Sequence, residues 1–278
     1  MTVSVAYAGR DGAHAATACD RLFPRETRMV PLASFTAVVE AAVAGDVQFG
    51  VLPIESSLSG PVAETHDLLH ASPLSITDET VLRIRHCLVG TEDVPLERIR
   101  VVRSHPVALD QCRRLLAAMP WAMAVAASTT AEAAAEIAER GDPAEAAIAG
   151  ERAASLYGLQ VIAGDVGDHP EAYTRFVSIA SHTRLDRASG EWRTAFSFVT
   201  DHRPGALHRA IEPFARHAID LVQLVSRPIP DTPWRYCFHA LLAGHPLDPL
   251  IRDALAEVGK QASRLKVFGS YPAAGNTA

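Results

Sequence analysis

The sequence is short of several things, and each shortage closes a class of function. It holds four cysteines in 278 residues, Cys19, Cys87, Cys112 and Cys237, with no CxxC pair among them. A disulfide framework or a dithiol centre needs paired spacing, so these read as reduced core thiols. Basic residues do not exceed acidic ones: 26 Lys and Arg face 32 Asp and Glu, for a net charge of −6. Nucleic acid is therefore excluded as a partner, because neutralising phosphates takes clustered cations. The same balance gives an anionic substrate no help from the overall field. Any acid must be held by local arginines or by backbone N–H groups. No apolar run nears the roughly 20 residues of a membrane span. The N-terminal MTVSVAYAGRDG carries neither the basic nor the apolar region of a signal peptide. A cytoplasmic protein without membrane contact is expected.

Catalytic signatures are equally sparse. Gly9-x-x-Gly12 lacks the third glycine of a dinucleotide fingerprint, and neither GxxxxGK[ST] nor GxSxG occurs. No His-x-x-His or cysteine cluster has metal-ligand spacing. Neither a cofactor nor a metal is expected.

What is present is an ordinary globular composition, 48% hydrophobic and 21% charged. Residues 1–180 alternate strands with helices, the pattern of an open, largely parallel sheet. Strands are predicted at 3–8, 49–54, 79–90, 99–104, 123–128 and 174–180, with further short ones in AEAAIAG and LQVIAG. Helices are predicted at 12–23, 34–45, about 57–70, 106–119 and 130–141. A polar, Arg-rich stretch at 181–193 marks a domain boundary. Beyond it the order becomes βαββαβ in about 80 residues, a ferredoxin-like arrangement. AAGNTA at the end is expected to fray.

In an open α/β sheet, ligands collect where strands end and helices begin. Polar clusters fall there: Glu55-Ser56-Ser57, Ser104-His105 with Gln111, Ser128-Thr129-Thr130, and Thr174-Arg175. Singly, Ser104 and Ser128 equally suit helix caps, and Thr174 suits any strand. Together they supply hydroxyls, an amide and an arginine, a set that holds carboxylates and polarises a departing oxygen.

Read together, these segments resemble the prephenate dehydratase family over about residues 3–272. GVLPIESSLSGPVAETHDLL resembles its signature segment, SHPVALDQC its second motif, and YTRFVSIA carries its Thr-Arg-Phe motif. PGALHRAIEPFARHAIDL, LVSRP and LKVFGSYP resemble its ACT regulatory domain. The resemblance implies an α/β chain with a two-lobed, periplasmic-binding-protein-like catalytic domain over 1–182. Lobe one would span about 1–76 and 163–180, and lobe two about 77–162. An ACT domain would follow at 193–272. The implied reaction is that of a carbon–oxygen lyase, turning prephenate into phenylpyruvate in phenylalanine biosynthesis.

Carried across, Thr174 donates to the leaving hydroxyl, with Ser104, Gln111 and Glu55 as further catalytic residues. Ser56, Ser57, Arg175, Phe176, Ser128, Thr129 and His14 would bind substrate. Arg175 would pair with a substrate carboxylate or form an ion pair between lobes. Gly205, Ala206, Leu207, Ser226 and Arg227 would form a phenylalanine effector site between subunits of a homodimer or tetramer.

The departures carry weight. Where the family has Asn between Glu55 and Ser57 this chain has Ser56, and where it has Asn two residues before Thr174 this chain has Ala172. Its Gly-Thr-Phe-Ser is Gly12-Ala13-His14-Ala15 here. His14 is a candidate to compensate as a general acid, and His66 stands at a usually apolar position, facing the cleft or packed on its helix. Val225 replaces the Glu of Glu-Ser-Arg-Pro, which predicts weakened phenylalanine control. A dehydratase is the first reading. A non-aromatising prephenate decarboxylase, or a related enzyme acting on a cyclohexadienol acid, is the second. A non-catalytic, amino-acid-sensing ACT protein is the third. Prephenate and arogenate are not separated by the sequence.

Overall fold

The computed structural model describes residues 2–183, 190–230 and 232–275. Three sheets organise them. The first joins β1 (Ser4–Ala8), β2 (Arg28–Leu32), β3 (Phe49–Ser56), β5 (Ser75–Arg83) and β11 (Tyr173–Ala180) in the order β2-β1-β3-β11-β5, with β4 (Gly60–Pro61) paired to β3. The second runs β10-β6-β9-β7-β8, from Gln160–Ala163, Cys87–Gly90, Glu145–Ala149, Val101–Ser104 and Met123–Ala126. These are the sheets of the two lobes. Both are mixed rather than largely parallel, because β11 runs antiparallel to β3 and β5, and β6 antiparallel to β9 and β10.

Local chemistry sets the helices. Ser34 caps α2 (Phe35–Ala44) by accepting from the Ala37 N–H at 3.1 Å, and Gly45 ends it at φ +81°. Thr129 and Gly141 do the same for α6 (Thr130–Arg140). The helix expected over 57–70 begins later, as α3 (Ala63–Ala71), because Gly60 and Pro61 fold back to pair with Ser56 and Glu55. The helix expected over 106–119 breaks into α4 (Pro106–Asp110) and α5 (Arg113–Ala118). Asp168, from a distant loop, accepts from the backbone N–H of Arg113 and of Arg114, both at 3.0 Å, and so caps a second start.

The strand expected over 79–90 is two strands in two sheets. The chain therefore leaves lobe one at 84–86, not at 76, and it returns between Ala163 and Tyr173. β2 went unforeseen, since RMVPL is short, half-exposed and interrupted by Pro31. Of the expected boundary at 181–193, residues 184–189 lie outside the described residues.

The third sheet is fully antiparallel, in the order β13-β14-β12-β15, from Leu221–Pro228, Tyr236–Ala243, Trp192–Val199 and Arg264–Pro272. With α8 (Ala206–Arg216) and α9 (Pro249–Gln261) it completes the βαββαβ order of a ferredoxin-like ACT domain. This domain does not hang free. Ala195, Leu241, Phe268 and Tyr271 share one apolar cluster with Leu69, Leu74, Ile76 and Ile179 of lobe one. Backbones come close enough at Gly269 (φ +150°) that a Cβ there would stand 2.3 Å from the Ile76 carbonyl oxygen. The C-terminal segment expected to fray is held at its start, where Ala273 N–H donates to Glu191 O at 2.9 Å.

Candidate active site

Between the two lobes lies a cleft of about 590 Å³, lined by strands of the first sheet, by loops flanking strands of the second, and by the starts of five helices. That volume suits a small organic acid. β11 supplies Thr174 and Phe176, which face it at i, i+2 as strand alternation requires. β3 supplies Pro53 and Ser56, three apart, which strict alternation would place on opposite faces. A bulge resolves this: Arg175 pairs with Glu55 and Phe176 with Pro53, so Ile54 is the extra residue. The bulge seats Ser56 directly opposite Thr174.

The other sequence-predicted residues divide. His14, Gln111, Ser128 and Thr129 line the cleft with Thr174, Ser56 and Phe176. Glu55, Ser57, Ser104 and Arg175 do not. Ser104 is fully buried and donates to the Ile148 carbonyl at 2.6 Å, a bond that ties β7 to β9. Ser57 accepts from Tyr173 N–H at 2.9 Å, and its own N–H donates to Tyr173 O at 2.8 Å, which pins the start of β11.

Arg175 points away from the cleft, toward the ACT domain. Its Nε donates to Glu55 Oε2 at 3.2 Å and its Nη1 to the two Glu79 oxygens at 3.0 and 3.1 Å. Glu79, whose side chain is 0% exposed, also accepts from Arg193 of β12 at 2.7 Å and from Ala274 N–H at 2.8 Å. Gln223 of β13 donates to Glu55 at 2.6 Å. Burial pushes the Glu79 carboxyl up, against the pull of Arg175 and the Ala274 N–H. Both expected roles for Arg175 are thus replaced: it is neither in the cleft nor bridging the lobes, but joins lobe one to the ACT domain.

The cleft lining contains no lysine or arginine among the described residues. Its positive potential comes from helix N-termini. Ser34 and Thr129 begin α2 and α6, and α1 (His14–Leu22) begins at His14 without a side-chain cap. Three histidines add neutral donors and acceptors. Sequence reasoning found His14 and His105 but missed His86, which has no motif around it. His86 Nε2 meets Gln111 Oε1 at 2.9 Å, and its buried Nδ1 has no partner. His14 Nε2 is likewise buried and unpartnered. Ser56 accepts from the N–H groups of Leu58 and Ser59, both at 3.3 Å, leaving its proton to donate. Ala172 forms an apolar patch of the wall, where the resemblance implies an amide.

In the ACT domain, Ala206 and Leu207 line a surface recess with Thr200–Pro204 and Phe238. Gly205 starts α8 at φ +76°. Ser226 and Arg227 do not reach that recess within one chain; Arg227 instead makes a two-bond pair with Asp67 of α3, at 2.7 and 3.1 Å.

Burial, and then neighbouring His86, lower the His14 pKa to about 4, and burial lowers that of His86. His14 is therefore a neutral imidazole near pH 7, which tells against the candidate role of general acid. A depressed folded-state pKa contributes stability that is complete above the unfolded value, about 6.5, and is lost as pH falls toward 4. The melting temperature should fall between about pH 7 and pH 5, and less steeply in His14→Asn. An unchanged slope in that variant contradicts the assignment.

Residues 5–184 match the family model described as prephenate dehydratase. A bifunctional chorismate mutase/prephenate dehydratase of Stutzerimonas stutzeri is 38% identical over 271 residues, 97% of this chain and 73% of that one. The crystal structure of prephenate dehydratase in complex with L-Phe, from Arthrobacter aurescens, superposes with a TM-score of 0.89 at 30% identity, covering 98% of this chain and 90% of that one. The structure of GqqA, described as a novel type of quorum quenching acylase, superposes at 0.88 and 30%, covering 98% of both. The chain belongs to the prephenate dehydratase family.

Proposed function

We propose that this chain converts prephenate to phenylpyruvate, releasing CO2 and water without a cofactor. The observation that carries the reading is the placement of Thr174, presented by β11 into the inter-lobe cleft with Ser56 opposite. The substrate's ring carboxylate leaves as CO2, and its bonding pair flows into the ring. The ring hydroxyl departs with the C–O pair and takes up a proton from solvent to become water. Aromatisation drives the step, so the protein must hold two carboxylates and assist a poor leaving group. The helix N-termini serve the carboxylates. Thr174 Oγ1 donates a hydrogen bond to the leaving oxygen; a threonine is too weak an acid to give its proton outright. His14, His86 and Gln111 form the opposing polar wall, which offsets the amides missing at Ser56 and Ala172. Acyl transfer by a serine nucleophile needs a paired histidine, and among the described residues no hydroxyl of the cleft hydrogen-bonds His14, His86 or His105.

Thr174→Ala should lower kcat for phenylpyruvate formation by about 10²–10³, the usual loss for one preorganised donor, while Thr174→Ser keeps most of the rate. Products are read by mass spectrometry without acid quench, since acid aromatises prephenate by itself. Undiminished turnover in Thr174→Ala, or a decarboxylated product that retains its hydroxyl, overturns the reading. Faster turnover of arogenate moves it to the amino-acid substrate.

The ACT domain takes phenylalanine weakly in this reading. Val225 sits opposite His239 in the β13–β14 ladder and offers no carboxylate to an ammonium group. Dimerisation uses the open edge of β13, where Val222 and Leu224 are exposed. Calorimetric titration should show phenylalanine binding strengthened in Val225→Glu. Identical binding in both forms contradicts it.

A further inference from the structure

A second polar cluster lies outside the cleft, where α3 packs on the ACT sheet. α3 carries His66 and His70 at i, i+4, so both share one helix face. β14 carries Cys237 and His239 at i, i+2, so both share one sheet face. The two faces meet. Donor atoms of His70, Cys237 and His239 lie within 4.8 Å of one another, with Cys237 Sγ 3.6 Å from His70 Nδ1. The His66 ring sits 4.9 Å from that of His239. Sequence spacing hid the cluster, because each half is a pair and the pairs are about 170 residues apart.

Several observations at this junction go beyond ordinary packing. His66 and His239 are 4% and 3% exposed, yet His66 Nε2 and His239 Nδ1 have no hydrogen-bond partner. Buried polar atoms left bare are costly, and a bound ion or water is one way to satisfy them. Alongside, a void of about 20 Å³ is lined by His66 and His239, with Arg175, Gln223, Tyr271 and apolar residues. That is room for about one water beside His66 and His239, and the void does not reach His70 or Cys237.

We propose that His70, Cys237 and His239, with His66 as the fourth ligand, form a binding site for a borderline-soft divalent cation of the zinc type. Three imidazoles and one thiolate are a zinc-like donor set, whereas magnesium and calcium take oxygen ligands. Tetrahedral zinc places its donors about 3.3–3.8 Å apart, so the group closes by about an ångström around the ion. Burial keeps the histidines neutral and so able to ligate, with His239 lowered to about 3. Burial also raises the Cys237 thiol, so binding must release its proton. Arg264 is one cation within reach of His70 and Cys237, and two others are engaged elsewhere. Arg227 is paired with Asp67, and Lys266 donates to the Leu69, His70 and Ser72 carbonyls at the end of α3. The ion would fasten the ACT sheet to a helix whose N-cap Val62 and first-turn Glu64 border the cleft.

The test uses untagged full-length protein, stripped with a chelator and titrated with Co²⁺. One equivalent should give tetrahedral visible bands and a thiolate-to-cobalt absorption, both removed by Zn²⁺. Cys237→Ser should abolish the thiolate band. His239→Asn should weaken binding by at least ~100-fold, and His66→Asn by ~10–100-fold. Wild-type protein that takes up no cobalt overturns the site, whatever the variants do. So does cobalt bound without a thiolate band, or bound equally well by folded His66→Asn and His239→Asn.

Discussion

Glu79 lies with its side chain fully buried beneath two guanidiniums, from Arg175 and Arg193, and one backbone N–H, from Ala274. A carboxylate so far from water persists only while those partners stay in place. They come from three parts of the chain: β11 of the catalytic lobe, β12 of the ACT domain and the C-terminal segment. Glu55 and Gln223 extend the same network to β3 and β13. Arg175 is the neighbour of Thr174, and strand alternation sends one side chain to this network and the other to the cleft. Fixing Arg175 therefore fixes the strand that presents the Thr174 hydroxyl to the cleft.

The cleft shows how an acidic chain can hold an acidic substrate. Net charge works against binding, and the cleft walls offer no cation among the described residues. In the proposed function, helix N-termini and neutral hydrogen-bond donors take that part. Neutral histidines suit this better than charged ones. His14 and His86 can donate or accept as the leaving group requires without either carrying charge in the resting enzyme.

Much of the architecture was legible because it rests on local rules. Ser34 and Gly45 bracket α2 as capping chemistry dictates, and the βαββαβ order of the ACT domain follows from periodicity. Thr174, Ser56, Gln111 and Ser128 were found because strand-to-helix junctions are where ligands collect in such sheets. Misreadings came where distant residues decide. Asp168 splits a helix that looks continuous, and a back-folded Gly60-Pro61 delays another. Glu55, Ser57 and Ser104 have the chemistry of site residues and the locations of struts, because pairing across the sheet settles where each side chain goes. His86 and the pairing of His66-His70 with Cys237-His239 had no local signal at all.

The most direct test is Arg175→Met, followed by thermal melting and steady-state kinetics with prephenate. If Arg175 anchors β11 to the ACT domain, the melting temperature falls as Glu79 loses a partner, and kcat drops while KM stays near that of the wild type. An intact melting temperature with KM raised about 100-fold, equivalent to a lost charge-assisted contact of nearly 3 kcal/mol, would put the guanidinium on the substrate and contradict the account.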